Sequence, residues 1–338
     1  MTSSINCRFH RRFGVELELN TFDGTLKRAN SSNREIPSGS DHIAVLVQKA
    51  SGDDVRLCLH DYYYNVSNWV IKHDMSCGIE INSSVLKGWQ GLESLLKVVD
   101  SLSKDKHVKS DDRCSLHVHA NIRDLTPDQL ASVIGYYIKC EHVFLDAMPS
   151  SRKNNRYCYP IGLSDIFDTE FNMEPMELIV KVSRSKYGSI NAYHFVQNGG
   201  FLEDNEYRTL EFRIAENTAC LDAYLTKNWV RFLLHFIEVT KNLPLPRRIK
   251  DGGSGLTWLD FKDVYRLLQF DQELSPGMQQ VRQWFMDRVA AFGFNTSLQG
   301  VWSNAGRIIN RLQYGEIRNN LPRLEEDADP VFGEKWKI

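Results

Sequence analysis

Two carboxylates separated by a single residue lie in an alternating stretch near the start of the chain, R-F-G-V-E-L-E-L-N over residues 12–20. The strict alternation predicts a β-strand with an apolar face and a polar face, and Glu16 and Glu18 share the polar face. Two such carboxylates lie roughly 7 Å apart along a strand. Taken alone, the stretch is typical of an ordinary strand with one solvated face.

Three further stretches place chemically active side chains on the polar face of a predicted strand. They are I-E-I-N at 79–82 with Glu80 and Asn82, C-S-L-H-V-H-A-N at 114–121 with His117, His119 and Asn121, and T-L-E-F-R-I at 209–214 with Glu211 and Arg213. If these faces curve toward each other, their carboxylates repel unless cations neutralise them. The recurrence therefore predicts a concave sheet that holds metal ions.

A fifth stretch, N-W-V-I-K-H-D at 68–74, is another predicted strand, with Lys72 and Asp74 on one face. Asp74 precedes Glu80 by six residues, across a M-S-C-G sequence that can form a turn. Strand, turn and strand would bring Asp74 and Glu80 to neighbouring positions.

Oxygen ligands dominate this set, with one or two imidazoles, which suits Mg²⁺ or Mn²⁺ better than a thiolate zinc site. Arg213 would neutralise a phosphate or acyl-phosphate oxygen beside the metals. The chain has no P-loop, no G-x-G-x-x-G fingerprint and no G-x-S-x-G elbow. Metals and arginines would therefore have to hold the phosphates of any nucleotide. The loop at 150–159, with Arg152 and Arg156, either binds phosphates or is simply solvated.

Composition sets outer limits on function. The 338 residues suffice for one large domain or two smaller ones, and 42% apolar and 25% charged residues are typical of a globular protein. A formal net charge of -2 offers no electrostatic argument for binding nucleic acid. Seven cysteines without a C-x-x-C pair indicate reduced thiols and a cytoplasmic protein without structural zinc. The sequence predicts neither a signal peptide nor a membrane anchor.

Local patterns predict the elements that position these side chains. Residues 43–48 and 55–59 are predicted to form a hairpin around Ser51-Gly52-Asp53, followed by a helix over 92–103. A second helix is predicted to start at Pro127, after Thr126, and to end near Asp146, because threonine is a favoured N-cap and proline a favoured first helical residue. From Leu221 the chain is predicted to be largely helical, over 221–241, over 254–292 with an interruption at Pro276-Gly277, and over 301–312.

The order of these motifs resembles the amidoligase branch of the glutamine synthetase and glutamate–cysteine ligase superfamily. The resemblance rests on F-G-V-E-L-E, W-V-I-K-H-D-M-S-C-G-I-E-I-N-S, S-L-H-V-H-A-N and L-E-F-R-I. It covers roughly residues 12–218, without residues 24–60, and its specificity lies in the order and spacing of four short motifs.

The resemblance implies an α+β fold in which a curved antiparallel sheet cups the active site, with helices on the outer face and an α-helical C-terminal part. Residues 1–220 would form the catalytic core, and residues 221–338 a helical extension packed on it as one compact unit. The implied activity is an ATP- and divalent-metal-dependent carboxylate–amine ligase that works through an acyl phosphate and releases ADP and phosphate. Its partners would be a small-molecule or peptide carboxylate and an amine such as an amino acid or polyamine, in the cytoplasm of the cell or of a phage host.

The resemblance also implies residue roles, with two to three Mg²⁺ or Mn²⁺ ions. The ion beside the ATP γ-phosphate would be held by Glu16, His117 and Glu211. The second ion would be held by Glu18, Asp74 and Glu80. Catalysis would depend on Glu80, Glu211 and Arg213, where Arg213 steadies the transferred phosphoryl group. The nucleotide phosphates would be bound by Arg152, Arg156, Lys186 and Arg213. Supporting contacts would come from Lys72, His119 and Asn121.

Two alternatives of other classes remain open at this point. A non-heme iron or cupin-type oxidoreductase or hydrolase also uses His-x-His on a strand, but usually adds a Glu a few residues further on, where this chain has Arg123 and Asp124. The second alternative is a non-catalytic binding module whose acidic faces are merely exposed.

Overall fold

The structure is a computed structural model that describes residues 10–21, 39–58, 67–74, 76–153, 155–161, 174–203, 205–246 and 259–293. Within these residues the strands are β1 Arg12–Thr21, β2 Val55–Cys58, β3 Trp69–Asp74, β4 Gly78–Asn82, β5 Leu86–Lys87, β6 Val108–Lys109, β7 Leu116–Asn121, β8 Ile190–Asn191 and β9 Thr209–Phe212. The helices are α1 Ser40–Ser51, α2 Gly88–Ser103, α3 Pro127–Asp146, α4 Ser150–Lys153, α5 Pro175–Val182, α6 Tyr193–Gln197, α7 Ala223–Thr240, α8 Phe261–Leu267 and α9 Pro276–Phe292.

One open sheet contains all of the described strands, in the order β2-β3-β4-β1-β7-β9-β8, with the short strands β5 and β6 paired to β1. Every pair is antiparallel except β2 with β3, which is parallel. The predicted α+β class with a largely antiparallel sheet is confirmed, and the parallel β2–β3 pair is the one departure. All four motif strands lie side by side at the centre, as β4, β1, β7 and β9.

The alternation of β1 divides the sheet into two faces. Phe13, Val15, Leu17 and Leu19 are 0–2% exposed and belong to a hydrophobic cluster that also contains the apolar residues of β4, β7 and β9. Burial of each such side chain contributes about 1.5–3 kcal/mol, so this face is held firmly against the helices. The polar residues of the same strands consequently all face the other side.

The predicted hairpin over residues 43–59 is wrong, because residues 40–51 form helix α1. Ile43 and Val47, four residues apart, are buried, whereas Val45 between them is 46% exposed. The helix ends at Gly52, whose φ of 77° is readily adopted only by glycine. Alternating β-branched residues mimicked a strand here, while the packing of α1 against α2 and β2 follows the helical period.

The predicted start of α3 is confirmed in detail. The Thr126 side chain accepts a hydrogen bond from the Gln129 amide, and the Gln129 side chain accepts one from the Thr126 amide. This reciprocal capping box satisfies two amides that the helix leaves unpaired. At the other end, the predicted loop at 150–159 begins only after the short helix α4.

Three helices of the C-terminal part pack on the sheet domain. Helices α7, α8 and α9 confirm that the described C-terminal part is largely helical, while 254–258 and 301–312 lie outside the described residues. The predicted interruption at Pro276-Gly277 is wrong, because residues 268–275 form the break and Pro276 begins α9. The rings of Phe232 and Phe285 stack 4.8 Å apart, inside the same hydrophobic cluster as the sheet. The division at residue 220 stays a prediction. Among the described helices, none is long and apolar enough to cross a membrane.

Candidate active site

Strand register assembles the polar side chains into one surface. Across β1 and β7, Glu16 is opposite His117, and across β7 and β9, His119 is opposite Glu211. Across β1 and β4, Glu18 is opposite Glu80. Because side chains directly opposite each other lie about 4.5–5.5 Å apart at Cβ, the polar residues of four strands meet on one patch of the sheet.

Glu16, His119 and Glu211 form the tightest group on this patch. One ligand atom from each residue lies within 4.8 Å of the other two. Nε2 of His119 is 3.1 Å from Oε1 of Glu16 and 3.9 Å from Oε1 of Glu211. This nitrogen is buried, yet no hydrogen bond of acceptable geometry reaches it. Two carboxylates and an orphaned imidazole nitrogen fit a divalent cation such as Mn²⁺ or Mg²⁺.

The pKa values of Glu16 and His119 are set by burial and by the contacts within this three-residue group. Burial acts to lower the pKa of His119, but Glu16 and Glu211 outweigh it and raise that pKa to about 9. Burial acts to raise the pKa of Glu16, and the two histidines bring it well below its usual value. The opposite charges of His119 and of the two carboxylates, Glu16 half-buried and Glu211 buried, thus favour each other.

His117 lies behind this group, with both ring nitrogens engaged. Its Nδ1 is 2.8 Å from Oε2 of Glu16, and its Nε2 is 2.6 Å from the Ser115 hydroxyl. The same hydroxyl donates to Oε2 of Glu18 at 2.8 Å. Nδ1 of His117 also lies 3.4 Å from Oε1 of Glu211, so both histidines face the carboxylates and the predicted ligand role of His117 stays a prediction.

Glu18 and Glu80 form a second acidic pair on the patch, 6% and 4% exposed. Burial and the neighbouring negative charges raise the pKa of both carboxyls, that of Glu80 to about 8. Lys72, opposite Glu80 on β3, places Nζ 2.8 Å from Oε1 of Glu80. Asn82 donates its amide to the same oxygen at 2.9 Å.

Asp74 ends β3 and holds the turn to β4. Its Oδ1 accepts hydrogen bonds from the Ser76 amide at 2.6 Å, from the Ser76 hydroxyl and from the Cys77 amide at 3.3 Å. Although burial acts to raise the pKa of Asp74, these bonds lower it. Among the described residues, Asp74 does not belong to the group of Glu16, His119 and Glu211. Its predicted role as a metal ligand therefore rests only on the negative charge of its own carboxylate close to the patch.

Arg213 follows directly after β9 at one end of the patch. Its Nη1 lies 2.5 Å from Oε1 of Glu211, and its Nε donates to the Tyr157 carbonyl at 3.1 Å. Burial acts to lower the pKa of Arg213, but Glu211 and Glu16 raise it above its usual value. Asn191 on β8 donates to the other Glu211 oxygen at 3.0 Å. A permanent positive charge is thereby fixed beside the carboxylate group.

The three other cations predicted to bind phosphate have different surroundings. Arg152 is 3% exposed and donates to the carbonyls of Arg213 at 2.8 Å and Ile214 at 3.4 Å, so it positions the end of β9. Arg156 and Lys186 are exposed and lie over the rings of their own neighbours, Tyr157 and Tyr187.

A cavity of about 680 Å³ opens at the other end of the patch, where Gly14, Glu16 and His119 form part of its wall. Its lining contains the cations Arg12, Lys72, Lys87, Arg123 and Arg208. Asn121 also lines it and accepts a hydrogen bond from the Arg123 amide at 3.0 Å. Neither Arg213 nor the Glu18–Glu80 pair lines this cavity.

Sequence reasoning missed several residues of the site. Ser115 lies two residues before His117, and the period of two could have found it. Asn191 ends the sequence S-R-S-K-Y-G-S-I-N at 183–191 and lies on strand β8. This strand has only two residues, which is too short to give an alternating pattern. His194 on α6 has its pKa lowered by burial, against the opposing charge of Glu211. No local sequence signal distinguishes that histidine.

An open sheet that carries this carboxylate–imidazole group beside a cavity has a candidate divalent-cation site. The sequence profile of the family described as "Putative amidoligase enzyme" matches residues 10–237. The chain belongs to this family, and the prediction of a carbon–nitrogen ligase that joins a carboxylate to an amine is confirmed.

Comparison with solved structures gives weaker similarities. The complex between prokaryotic ubiquitin-like protein Pup and its ligase PafA matches with a TM-score of 0.41 and 13% identity, over 91% of this chain and 71% of that chain. A bifunctional glutathione synthetase from Pasteurella multocida matches with a TM-score of 0.38 and 10% identity, over 89% and 49%. A novel glutamine synthase homolog matches with a TM-score of 0.37 and 12% identity, over 89% and 70%. Similarities of this size carry no argument about function. None of the curated proteins matches this sequence.

Proposed function

We propose that this amidoligase activates a carboxylate with ATP, forms an acyl phosphate and transfers the acyl group to an amine, releasing ADP and phosphate. The observation that carries the proposal is the convergence of Glu16, His119 and Glu211 beside Arg213 and a cationic cavity. Carboxylates and an imidazole suit a divalent cation, and a fixed guanidinium suits a phosphoryl group in transfer. The free thiols of the described cysteines are compatible with a cytoplasmic location.

Glu16, His119 and Glu211 would hold the ion nearest the reacting phosphate. Glu18, Glu80 and Asp74 are the proposed residues for a second of two to three ions, supported by two buried like charges on adjacent strands. Bound Mg²⁺ or Mn²⁺ would neutralise phosphate oxygens and lower the barrier to their transfer. In the ion-free protein, Lys72 and the His119 imidazolium supply the compensating positive charge.

The cavity is the proposed site of ATP. Its volume of about 680 Å³ lies in the usual range for small-molecule sites. Arg12 and Lys87 lie opposite each other on β1 and β5 at its wall, and no described carboxylate pairs with either. They are the side chains best suited to contact nucleotide phosphates, with the terminal phosphate directed toward Glu16 and His119.

The reaction then proceeds in two transfers. An oxygen of the substrate carboxylate attacks the γ-phosphorus, the bond from that phosphorus to the β–γ bridging oxygen breaks, and ADP leaves with the electron pair. The amine nitrogen next attacks the acyl carbon, the bond to the phosphate oxygen breaks, phosphate departs and the surplus amine proton passes to solvent. Arg213, held in place by Glu211 and the Tyr157 carbonyl, neutralises the transferring oxygens.

The test uses hydroxylamine as a general amine that traps acyl phosphates. The purified protein is incubated with a panel of carboxylates, hydroxylamine, ATP and Mg²⁺ or Mn²⁺, and hydroxamate, ADP and AMP are measured. We expect hydroxamate and ADP in equal amounts, with no product when the metal is chelated. AMP as the nucleotide product would overturn the acyl-phosphate mechanism, since it indicates attack at the α-phosphorus.

A further inference from the structure

Two segments of the chain, residues 157–161 and 187–190, hold Arg213 through backbone carbonyls. Nε of Arg213 donates to the Tyr157 carbonyl at 3.1 Å. The Arg213 amide donates to the Ser189 carbonyl at 2.9 Å. We call these two segments the arginine brace, because one contacts the guanidinium of Arg213 and the other contacts its backbone.

The two segments of the arginine brace are bonded to each other and closely packed. The Tyr159 amide donates to the Tyr187 carbonyl at 3.0 Å, and the Ser189 amide donates to the Tyr159 carbonyl at 2.9 Å. A Cβ added at Gly188 would lie 2.9 Å from Cδ1 of Ile161, which is closer than Cβ atoms come to their neighbours. The position of one segment therefore determines the position of the other.

A buried side chain on α3 bonds both segments of the brace. Glu141 is 1% exposed, and its Oε1 accepts hydrogen bonds from the Ile161 amide at 2.8 Å and from the Ser189 hydroxyl. Ile161 and Ser189 are buried as well, so water does not replace Glu141 as their acceptor. One carboxyl oxygen has two lone pairs and can accept both bonds at once. Glu141 thus joins the two segments at a single atom.

These bonds connect Glu141 to Arg213 by two routes. Ser189 bonds Glu141 with its hydroxyl and the Arg213 amide with its carbonyl. Ile161 bonds Glu141 and belongs to the segment whose Tyr157 carbonyl accepts from Arg213 Nε. Glu141 itself lies outside the carboxylate–imidazole group and does not line the cavity. Any effect of Glu141 on the reaction must therefore pass through the placement of other residues.

We propose that Glu141 is a positioning residue for phosphoryl transfer, because it holds the arginine brace and the brace orients the Arg213 guanidinium. The inference rests on the role of Arg213 in the proposed function. A planar guanidinium needs two contacts to fix its orientation, and here they are Glu211 at Nη1 and the Tyr157 carbonyl at Nε. Without the brace, Arg213 would keep its ion pair with Glu211 but would rotate about that contact. A misplacement of about 1 Å can lower a rate by about 100-fold.

The experiment compares three substitutions that affect the brace with one matched control. Glu141→Leu removes the acceptor, whereas Glu141→Gln keeps a carbonyl oxygen that can accept both bonds. Ser189→Ala removes one donor and leaves the backbone groups that contact Arg213. The control is Ser132→Ala, which removes another buried serine hydroxyl, one that lies on α3 and donates to two backbone carbonyls at and after the end of α7.

The first measurement needs no substrate. In protein with isotopically labelled arginine, NMR records how fast each Nε–H exchanges with water, and Arg213→Met identifies the Arg213 signal by its absence. We expect exchange at Arg213 to be about tenfold faster or more in Glu141→Leu and Ser189→Ala, and within about twofold of the wild type in Glu141→Gln and Ser132→Ala. The Nε–H of Arg11, which donates to a carboxylate on α7, is the internal reference for correct folding. Unchanged exchange at Arg213 in Ser189→Ala and in folded Glu141→Leu would overturn the proposal.

The second measurement is the rate of ADP formation in the hydroxylamine assay, with the panel carboxylate that gives the most hydroxamate. Glu141→Leu should lower kcat by about tenfold or more and leave KM for ATP within about twofold, the pattern of an interaction made only in the transition state. In an Arg213→Met background the same substitution should lower kcat by less than about twofold, because its effect passes through the guanidinium.

The outcomes separate this proposal from the proposed function. Equal losses of kcat in both backgrounds would overturn the positioning role of Glu141, since they indicate general damage to the structure. Faster Nε–H exchange with an unchanged kcat would overturn it as well. A normal kcat for Arg213→Met alone would instead overturn the role of Arg213 in the proposed function, and the role of Glu141 with it.

Discussion

Glu16 and His119 are diagonal neighbours on β1 and β7, and their facing atoms, Oε1 and Nε2, lie 3.1 Å apart. The residue directly opposite Glu16 is His117, and the residue directly opposite His119 is Gly14. A Cβ added at Gly14 would lie 3.6 Å from Oγ of Ser83 and would meet no atom of His119 within 4 Å. The contact between His119 and Glu16 therefore follows from strand register rather than from the absence of a side chain at position 14.

This geometry predicts unequal roles for the two histidines. His119→Gln should abolish tight Mn²⁺ binding, because it removes one of three ligands. His117→Gln should weaken binding by about 10–100-fold, the usual effect of losing a residue that orients a ligand. Calorimetric titration of the metal-free variants with Mn²⁺ checks this, and equal loss in both would show that His117 is a ligand too.

The buried carboxylates should respond differently to neutralisation. Glu18→Gln replaces one of two adjacent buried carboxyls, whose negative charges disfavour each other, with a neutral amide, so the free energy of unfolding of the metal-free protein should hold or rise. Glu211→Gln should lower it by about 1–3 kcal/mol, because Arg213 loses its charged partner. Both variants should lose ligase activity.

The control for the opposite face of the sheet is Leu17→Asn, at a position with 0% exposure. Its free energy of unfolding should fall by a few kcal/mol. Urea unfolding measures all three, and a stable Leu17→Asn variant beside an unfolded Glu18→Gln variant would mean that the faces are reversed.

Removing the charge of Arg213 should affect catalysis more than folding. Arg213→Met keeps the bulk of the side chain but removes the charge that offsets the transferring oxygens, at a cost on the order of 3 kcal/mol. Such a loss corresponds to a reduction of about 100-fold or more in the rate of ADP formation. Mn²⁺ binding by the same variant provides the control, since Glu211 retains its ligand atoms. An unchanged rate would remove Arg213 from the phosphoryl-transfer step.

A buried arginine joins the start of β1 to the C-terminal helices. The Arg11 side chain is 4% exposed, pairs with both oxygens of Asp124 at 2.5 and 2.8 Å, and donates to Glu238 on α7 at 2.8 Å. Arg11→Met should lower the free energy of unfolding by about 1–3 kcal/mol. The matched control is Arg113→Met, because Arg113 pairs with Asp111 at 2.7 Å on the surface, where ion pairs contribute about 0–1 kcal/mol. Equal effects in thermal melts would show that the Arg11 cluster contributes no more than a surface pair.

Asp146 at the end of α3 predicts a pH dependence of stability. Burial raises the pKa of its carboxyl to about 6, although Lys153, with Nζ 3.1 Å away, acts to lower it. Because the pKa is higher in the folded state than the ordinary value of about 4, the contribution of Asp146 to stability is fully present below pH 4 and is lost as the pH rises through 6. Asp146→Asn should gain stability relative to wild type between pH 4 and 7, by at most roughly 3 kcal/mol. Unfolding of both proteins at several pH values measures this. A difference in their free energies of unfolding that stays constant with pH would contradict the prediction.

The alternating stretches settled which side chains share a face. In β1 the residues Val15 and Leu17 had to point away from Glu16 and Glu18, because the side-chain period of an extended backbone is two residues regardless of what surrounds it. The N-cap at Thr126 with Pro127 as the first helical residue was equally local, and both predictions are confirmed. The same local reasoning failed at Ile43, Val45 and Val47, where alternation and helical spacing coincide and only the packing of α1 decided between them.

Tertiary structure decided which residues meet. Nothing in the sequence states that β7 lies between β1 and β9, yet that order brings His119 to both Glu16 and Glu211. Likewise, only the fold reveals that Arg152 donates hydrogen bonds to the backbone carbonyls that follow β9. Sequence alone thus determined the motifs, their faces and the family. Strand order and register, which depend on contacts between residues far apart in the chain, decided which of these side chains contact one another.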